Sequence, residues 1–588
     1  MRIASSRLPA VVCVLTLPLA ALAIRPVVEM GLCDDWSYIR TAQILAQTGH
    51  IVYNGWASPL LGWQLFLGAL FVKLFGFSFT IVRASIFPVA MAVVFLLQRS
   101  MVRAGIREWN AALGTLAVVL SPLFLPLTFS FMTDIAGLFG IVLCLYACLR
   151  ALQADTDRAA LAWICFAAIS NTIFGTARQL AWLGVLVMVP STLWLLRRRP
   201  HFLLAGSILY LGCVAFIFAS VHWFHQQPYS VPENPFFEHV SSHTLISFGR
   251  NMVHAIMDAG LFVLPILVIF IPELRRGNRR STIFFVIGSS VFVLFCLIQV
   301  YRHWLMYWLT PYLGNYITVY GLMEDGAVHG RKIVLSLGLR LVVTALIFAS
   351  MLSFFAFLLA GRKKPDPPFD PAPQLSWYQL NIVIVPFTLA YIGLLLPRAA
   401  FSGYLFFDRY LLVITPMALI LILRFYQERV RPNVPVFALV PIALFAAFGI
   451  AGTHDIFSLY RARLAVVNEL RAAGVPPTEI DAGFEYDGWT QINLARFVND
   501  PQIPIQPGDH FAPPNTSIRQ CRPYFLNNFP VLSPHYGLSL DPEECQGPAE
   551  FPPVTTRTWL GPRFTTIYVV HVGNEEESTI STTSRRYP

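Results

Sequence analysis

"PLLGWQLFLGALFVKLFGF", residues 59–77, decides the topology of this chain. The stretch is apolar enough to be read as a membrane span. Yet it begins at Pro59, carries Lys73 and follows directly on a polar loop. Whether it crosses a bilayer sets the side on which the flanking acidic residues lie. The rest of the chain makes the bilayer its solvent. Its 588 residues are 56% hydrophobic and only 13% charged, and the mean hydropathy is +0.60. A soluble protein of this length needs far more charged surface. Apolar runs of roughly 16–20 residues, separated by short basic patches, predict a polytopic α-helical membrane protein. The formal charge of +10 is therefore no sign of a nucleic-acid partner, because most of the arginines sit in clusters between apolar runs, where they set orientation.

Working outward from 59–77, apolar segments fall at 8–24, 82–98, 111–129, 134–152, 160–175, 180–196, 202–221, 257–273, 282–300, 333–360, 378–397, 408–426 and 434–451. The clusters "RSMVRAGIR" (99–107), "RRR" (197–199), "RRGNRR" (275–280), "GRKK" (361–364) and "RFYQERVR" (424–431) are assigned to the cytoplasm, with Arg2 and Arg7. Asp34 and Asp134 then lie outside. An odd number of crossings must separate Asp34 from Arg99, yet two apolar segments lie between them. One of the two does not span, and the features of 59–77 select it. This leaves about 13 spans, with the N-terminus inside and the C-terminus outside. The swap in which 82–98 fails instead leaves the acids on the same side.

After residue 451 the chain turns polar. Residues 453–588 are expected to form a small extracytoplasmic α/β domain, with an amphipathic helix over 457–474 and a strand over 563–572. No repeat of 20–50 residues is present. The nine cysteines have no metal-ligand spacing, and Cys521 and Cys545 lie in the polar region, where a disulfide stays open if that region is outside the cytoplasm. Arg2, Arg7, the first apolar run and "ALA" at 21–23 fit either a cleaved signal peptide or an anchor. The membrane protein that follows favours the anchor.

Polar intrusions mark the outer edge. "GLCDDWSYIR" (31–40) opens a helix with Asp34 and Asp35, which one carboxylate as N-cap and the other as a favourable charge would explain adequately. "FLPLTFSFMTDIAGLF" (124–139) places Asp134 among apolar neighbours at the start of a span, a costly position unless the acid faces a cavity or partner. "GTARQLAW" (175–182) puts Arg178 and Gln179 on the side where positive charge is disfavoured, which invites an anion, and a guanidinium grips phosphate bidentately. "LFFDRYLLVITP" (405–416) opens a span with Asp408, Arg409 and Tyr410. An Asp–Arg pair with an interfacial tyrosine accounts for it equally well.

In order, "DDWSY", "FLG", "KLFG", "VRASIFPV", "SPLF", "TFSFMTD", "ARQLAWLG" and "DRYLL" resemble the pattern of the GT-C superfamily of integral-membrane glycosyltransferases, in particular its family 39-like aminoarabinose-transferase and protein mannosyltransferase branch. The resemblance is best over residues 1–200, reaches "DRYLL", and excludes "IDAGFEYDGW" (480–489). It implies a GT-C-like fold, a polyprenyl-phosphate sugar donor and transfer to a glycan, lipid or protein acceptor of the envelope. It implies catalytic carboxylates at Asp34, with Asp35 a close second, and at Asp134, and phosphate contacts at Arg178, Gln179 and Arg409. The family commonly has Glu where this chain has the shorter Asp35.

His222, His225, His239, His243 and His254 are expected in one outer loop covering the site. Together with Tyr38 they are candidates for acceptor or loop contacts. His239 and His243 are spaced to share a helix face, so a divalent metal stays open, and no other cofactor is indicated. "YRHWLMYWLTPY" (301–312) suits the headgroup level, where Arg302 meets the lipid phosphate or merely snorkels. Two other readings compete: a lipid or polar-solute transporter or flippase, with ionisable groups at mid-membrane, and a non-catalytic sensor or assembly subunit that would tolerate loss of Asp34.

Overall fold

Ten helices among the described residues are long and apolar enough to cross a membrane. They belong to a computed structural model that describes residues 7–197, 200–232, 242–276, 279–323, 328, 330–359, 375–400, 406–498, 528–543 and 545–572. The membrane part runs through α1 (Leu8–Ile24), α2 (Asp35–Thr48), α3 (Gly62–Phe75), α4 (Phe79–Ala84), α5 (Phe87–Arg103), α6 (Glu108–Val119), α7 (Phe124–Thr128), α8 (Thr133–Leu152), α9 (Asp157–Phe174), α10 (Val189–Leu195) and α11 (Pro200–His225). It continues through α12 (Ser242–Leu267), α13 (Phe270–Glu273), α14 (Arg279–Tyr301), a short β1–β2 hairpin (Ile317–Thr318, Gly321–Leu322), α15 (Leu337–Leu359), α16 (Trp377–Ala400), α17 (Ile414–Arg429) and α18 (Leu439–Ala472).

Three expected spans depart from ideal length, each for a local reason. The helix α1 has 17 residues, about 25 Å against a hydrocarbon core of about 30 Å. It packs into the bundle through Cys13, Leu17, Ala20 and Ile24, at helical spacing. The segment 111–129 breaks after α6 at Ser121 and Pro122, where proline has no N–H to continue the ladder and the Ser121 hydroxyl instead accepts the Phe124 N–H at 3.1 Å. The segment 180–196 starts as 3₁₀ and π turns before α10. Buried Asn171 satisfies backbone there: its amide donates to Gly140 O at 2.9 Å, and its Oδ1 accepts the Val185 N–H at 2.7 Å.

The two ends of the bundle are chemically distinct. At one end the basic clusters interlock. Gln427 donates to Gly105 O, Arg424 donates to Ala104 O, Arg103 bonds Gln153, and Arg431 pairs with Glu273 at 2.8 Å. At the other end lie the starts of α2, α8 and α17, with Asp34, Asp134 and Arg409. The 20 residues of α8 put about 30 Å between these ends. The helix α3 starts and finishes at the acidic end. Its beginning is tied down by Gln64 to Phe131 O and Trp63 to Phe174 O. Just past its end, Phe77 stacks on Trp489 and Ser78 bonds Glu29. Its 14 residues, about 21 Å, lie along that face.

The polar region differs from expectation at its start. The position expected to divide the membrane part from the polar region, 452/453, lies inside a helix. The last membrane helix and the expected helix over 457–474 are one 34-residue helix, α18. Its backbone ladder needs no interruption where the side chains change character, and Gly474 at φ +91° follows its end. Beyond it, β3 (Ile480–Asp481), α19 (Phe484–Ala495), β4 (Tyr536–Ser539), β5 (Val554–Arg557) and β6 (Phe564–His571) form a sheet of order β3-β4-β6-β5. The strands β3 and β4 are parallel, while β6 is antiparallel to both its neighbours, with Tyr536 opposite His571 and Val554 opposite Ile567. Cys545 is disulfide-bonded, Cys521 lies outside the described residues, and the other seven cysteines are free. A cavity of about 230 Å³ lies between α18, the β1–β2 region and the β5–β6 pair, with Arg331, Asp455, Thr566 and Tyr568 in its wall.

Candidate active site

The two adjacent acids of the first loop have different surroundings. Asp35 is fully buried. Arg83, itself buried, donates to it from Nε at 2.8 Å and Nη2 at 3.2 Å. The N–H groups of Leu32 and Phe131 add bonds at 2.7 and 3.1 Å. Arg83 also donates to Val28 O and Met30 O. Asp35 is therefore enclosed by protein donors, and the pair pins the first loop to α4 and to the segment before α8. The sequence expectation that it stands second to Asp34 in catalysis does not suit this enclosure. An ion pair so deep is held by geometry, and removing one partner strands the other charge.

Asp34 is turned the other way. Its side chain keeps 18% exposure. Trp56 Nε1 donates to Oδ1 at 2.9 Å, and Arg409 Nη2 stands 3.6 Å from Oδ2. Cys33 Sγ is 3.8 Å from the same oxygen and 4.0 Å from Arg409 Nη1. The 3.6 Å separation is an ion pair but too long for a hydrogen bond. Arg409 is only 11% exposed. Among the described residues, its guanidinium finds no oxygen acceptor within hydrogen-bond range, and its Nε is buried without a partner.

A second acid–arginine pair adjoins the first. Asp134, in the first turn of α8, pairs through Oδ1 with Arg178, while its Oδ2 is buried with no partner among the described residues. Arg178 sits in an extended residue between two 3₁₀ turns that follow α9. Its stem crosses α8 at Gly137, where an added Cβ would meet Arg178 Cβ and Cδ at 3.2 Å. A side chain at 137 would force the Arg178 stem to give by a few tenths of an ångström. Tyr410 joins the two pairs: Arg178 Cζ lies 5.3 Å and Arg409 Cζ 5.8 Å from its ring centroid. Arg409 also lies within Coulombic range of both Asp34 and Asp134. Two carboxylates and two guanidiniums thus share one cluster.

Tyr38 and Tyr316 line the same cluster and are buried. Burial first, and then the Asp34 charge, pushes the phenol of Tyr38 well above its usual range; burial does the same to Tyr316, and burial with Asp34 to the Cys33 thiol. All three stay protonated at neutral pH, so none of them is a ready proton acceptor.

Other expected residues are placed elsewhere. Asp408 does not pair with Arg409. It accepts the N–H groups of Tyr316 and Ile317, the latter at 2.7 Å, and so fixes the turn that carries Tyr316. Gln179 donates its amide to Ser58 O at 3.3 Å, fastening the first loop rather than presenting a donor to a ligand. Arg302 is exposed at the end of α14, over the ring of Trp304 at 4.8 Å, with no bond to the cluster. His222 and His225 are exposed on the last turn of α11, and His254 lies within α12, so the histidines are not in one loop. His239 lies outside the described residues, and of His243 only the helical backbone is described. Among the described residues no group of three or more His, Cys, Asp and Glu is placed to hold a metal ion. The segment after α11 does lie on the first loop: Gly55 N–H bonds Tyr229 O, and Val231 N–H bonds Ala57 O.

Sequence reasoning missed Arg83, Tyr316, Gly137 and the contribution of α19. "VRASIFPV" contains Arg83 next to a run of apolar residues, and that isolation was the signal for a buried partner.

No protein-family model matches the chain, and no curated protein matches it. Among solved structures, the crystal structure of ArnT from Cupriavidus metallidurans in the apo state is 14% identical, with 95% of this chain and 97% of that chain covered and a TM-score of 0.33. The crystal structure of ArnT from the same organism bound to undecaprenyl phosphate is 12% identical over the same shares, with a TM-score of 0.35. These scores mark a loose correspondence of chain path.

Proposed function

We propose that this chain is a membrane glycosyltransferase. It moves a sugar from a polyprenyl-phosphate donor to an envelope acceptor at the extracytoplasmic edge of the bilayer. The observation that carries the reading is Arg409: a nearly buried guanidinium, short of an acceptor among the described residues, 3.6 Å from a partly exposed carboxylate. A buried cation left under-satisfied is set up for an anionic ligand, and phosphate fits its fork of donors. The motif order that resembles the GT-C pattern points to the same ligand.

In this reading the donor's phosphate takes the Arg409 donors, and Asp34 receives the proton of an acceptor hydroxyl. The hydroxyl oxygen forms the new bond to the anomeric carbon as the sugar–phosphate C–O bond breaks. The electron pair leaves with the phosphate, whose growing charge Arg409 stabilises. A single displacement inverts the anomeric centre. Asp134 holds Arg178 beside Tyr410 and so shapes the far side of the cluster. Asp35 serves the fold through Arg83. Positive charge gathered at the opposite end of the bundle supports a cytoplasmic location for that end, and the disulfide at Cys545 supports an oxidising compartment for this one.

A transporter is disfavoured because its ionisable groups belong near mid-membrane, whereas these gather at the starts of α2, α8 and α17. Protein purified in lipid and supplied with polyprenyl-phosphate sugars and envelope extract should release polyprenyl phosphate. Mass spectrometry of co-purified lipid should show a polyprenyl phosphate. Retained turnover in both Asp34→Asn and Asp134→Asn would remove the mechanism.

A further inference from the structure

We propose that Glu485, from the C-terminal region, is a positioning residue for Asp34. This rests on the transferase reading. The Asp34 side chain has one protein hydrogen bond shorter than 3 Å, from Trp56. Its backbone follows Cys33, which has a left-handed φ of 55°. A non-glycine residue keeps that conformation only when its surroundings enforce it.

Glu485 supplies that enforcement. Its Oε1 accepts the Cys33 N–H at 3.3 Å, 452 positions away in sequence. The same oxygen accepts the Tyr460 hydroxyl at 2.5 Å, and Oε2 pairs with Arg463 at 3.1 Å. Arg463 is fully buried and also holds Ala482 O just before α19. The carboxylate is thus clamped between α18 and α19 before it reaches the first loop. The approach is tight at Gly31, where an added Cβ would stand 3.2 Å from Glu485 Cβ and 2.7 Å from Trp36 Cβ. The preceding residue, Phe484, governs the other support. Its ring lies 5.3 Å from Trp56 and 5.7 Å from Trp36. The indole that bonds Asp34 is therefore held by Phe484, and the peptide before Asp34 by Glu485. Two consecutive residues of α19 fix both the side chain and the backbone of the proposed base.

A merely structural glutamate would lower stability and leave the chemical step alone. A positioning one sets kcat, because a displacement near 1 Å at the reacting group costs up to about 100-fold. The test uses the full chain in lipid with Glu485→Ala, the conservative Glu485→Gln, and Tyr460→Phe, which removes only the hydroxyl that steers Oε1. Three quantities are read: kcat, KM for the lipid donor, and the rate of maleimide labelling at Cys33 followed by peptide mass spectrometry.

The expected result is a kcat lower by about 10–100-fold in Glu485→Ala, an unchanged KM, faster labelling of Cys33, and partial rescue in Glu485→Gln. Tyr460→Phe should move the same way by less, which keeps the test valid if Glu485→Ala does not fold. Unchanged kcat and unchanged Cys33 labelling in folded Glu485→Gln and Tyr460→Phe would overturn the proposal, and so would a rise in KM at constant kcat. If wild-type protein turns over no lipid donor, the transferase reading falls. The labelling rate then still decides whether Glu485 holds the peptide before Asp34: faster labelling sustains that hold, and an unchanged rate overturns it.

Discussion

Asp34→Asn is expected to bind polyprenyl phosphate more tightly and turn it over more slowly. The carboxylate stands 3.6 Å from Arg409. At that separation the attraction is about 1 kcal/mol in water and about 5 kcal/mol at an effective dielectric near 20. Both groups are mostly buried, with 18% and 11% exposure, and the lower figure is taken as the least competition Asp34 offers a phosphate for the guanidinium. Neutralising Asp34 then releases about 1 kcal/mol of competition for the guanidinium, a roughly fivefold lower Kd. Asparagine keeps Oδ1 for the Trp56 indole, so the fold loses little. The chemical step loses its base, worth about 10²–10⁴-fold in kcat. Arg409→Ala moves binding the other way. Losing charge-assisted hydrogen bonds of about 1.5–3 kcal/mol raises Kd roughly 10–160-fold. Binding is measured by titrating fluorescent polyprenyl phosphate into protein in lipid nanodiscs, and turnover by release of the lipid phosphate. If Asp34→Asn binds more weakly than wild type, or turns over within about threefold of it, the pairing logic fails.

Asp35→Ala should act on stability. It strands buried Arg83 at a cost of about 3–5 kcal/mol, read as a lower Tm and poor recovery from the membrane, with polyprenyl-phosphate affinity retained in whatever folds. Gly137→Ala places a Cβ 3.2 Å from the Arg178 stem. It should push the Arg178 stem by a few tenths of an ångström, strain its pairing with Asp134 and reduce turnover more than stability, and turnover equal to wild type would refute the close passage. Asp487 in α19 is fully buried, and burial first, then the neighbouring Asp481 charge, raises its pKa well above 3.8. The folded state then keeps a proton that the unfolded chain has released, so stability falls as pH rises from about 4 through the raised folded value. Asp487→Asn should flatten that fall in thermal melts followed against pH.

The candidate cluster was partly legible in the linear chain. Asp34, Asp134, Arg178 and Arg409 each break an apolar pattern, and charge bias assigns them to one side. The structure brings all four to one end of the bundle. The same local logic could not separate Asp34 from Asp35, because their difference is made by Arg83 and the Phe131 N–H, 48 and 96 positions away. Nor could it distinguish Asp408, which fixes a turn through backbone N–H groups, from a surface partner of Arg409. Gln179, Arg302 and the histidines fit a polar-site pattern by type alone, and the packing sends them elsewhere.

By itself the sequence determined the class of the protein, the helical segments and the segregation of acids from basic clusters. Hydropathy and charge bias act through the solvent, and each residue meets water or lipid independently of its distant neighbours. The tertiary structure alone decided which carboxylate is sealed and which is open, that α18 runs unbroken into the polar region, and that Glu485 reaches the first loop. Those outcomes depend on short-range hydrogen bonds and packing between residues far apart in the chain, and no local pattern records a contact until the fold has made it.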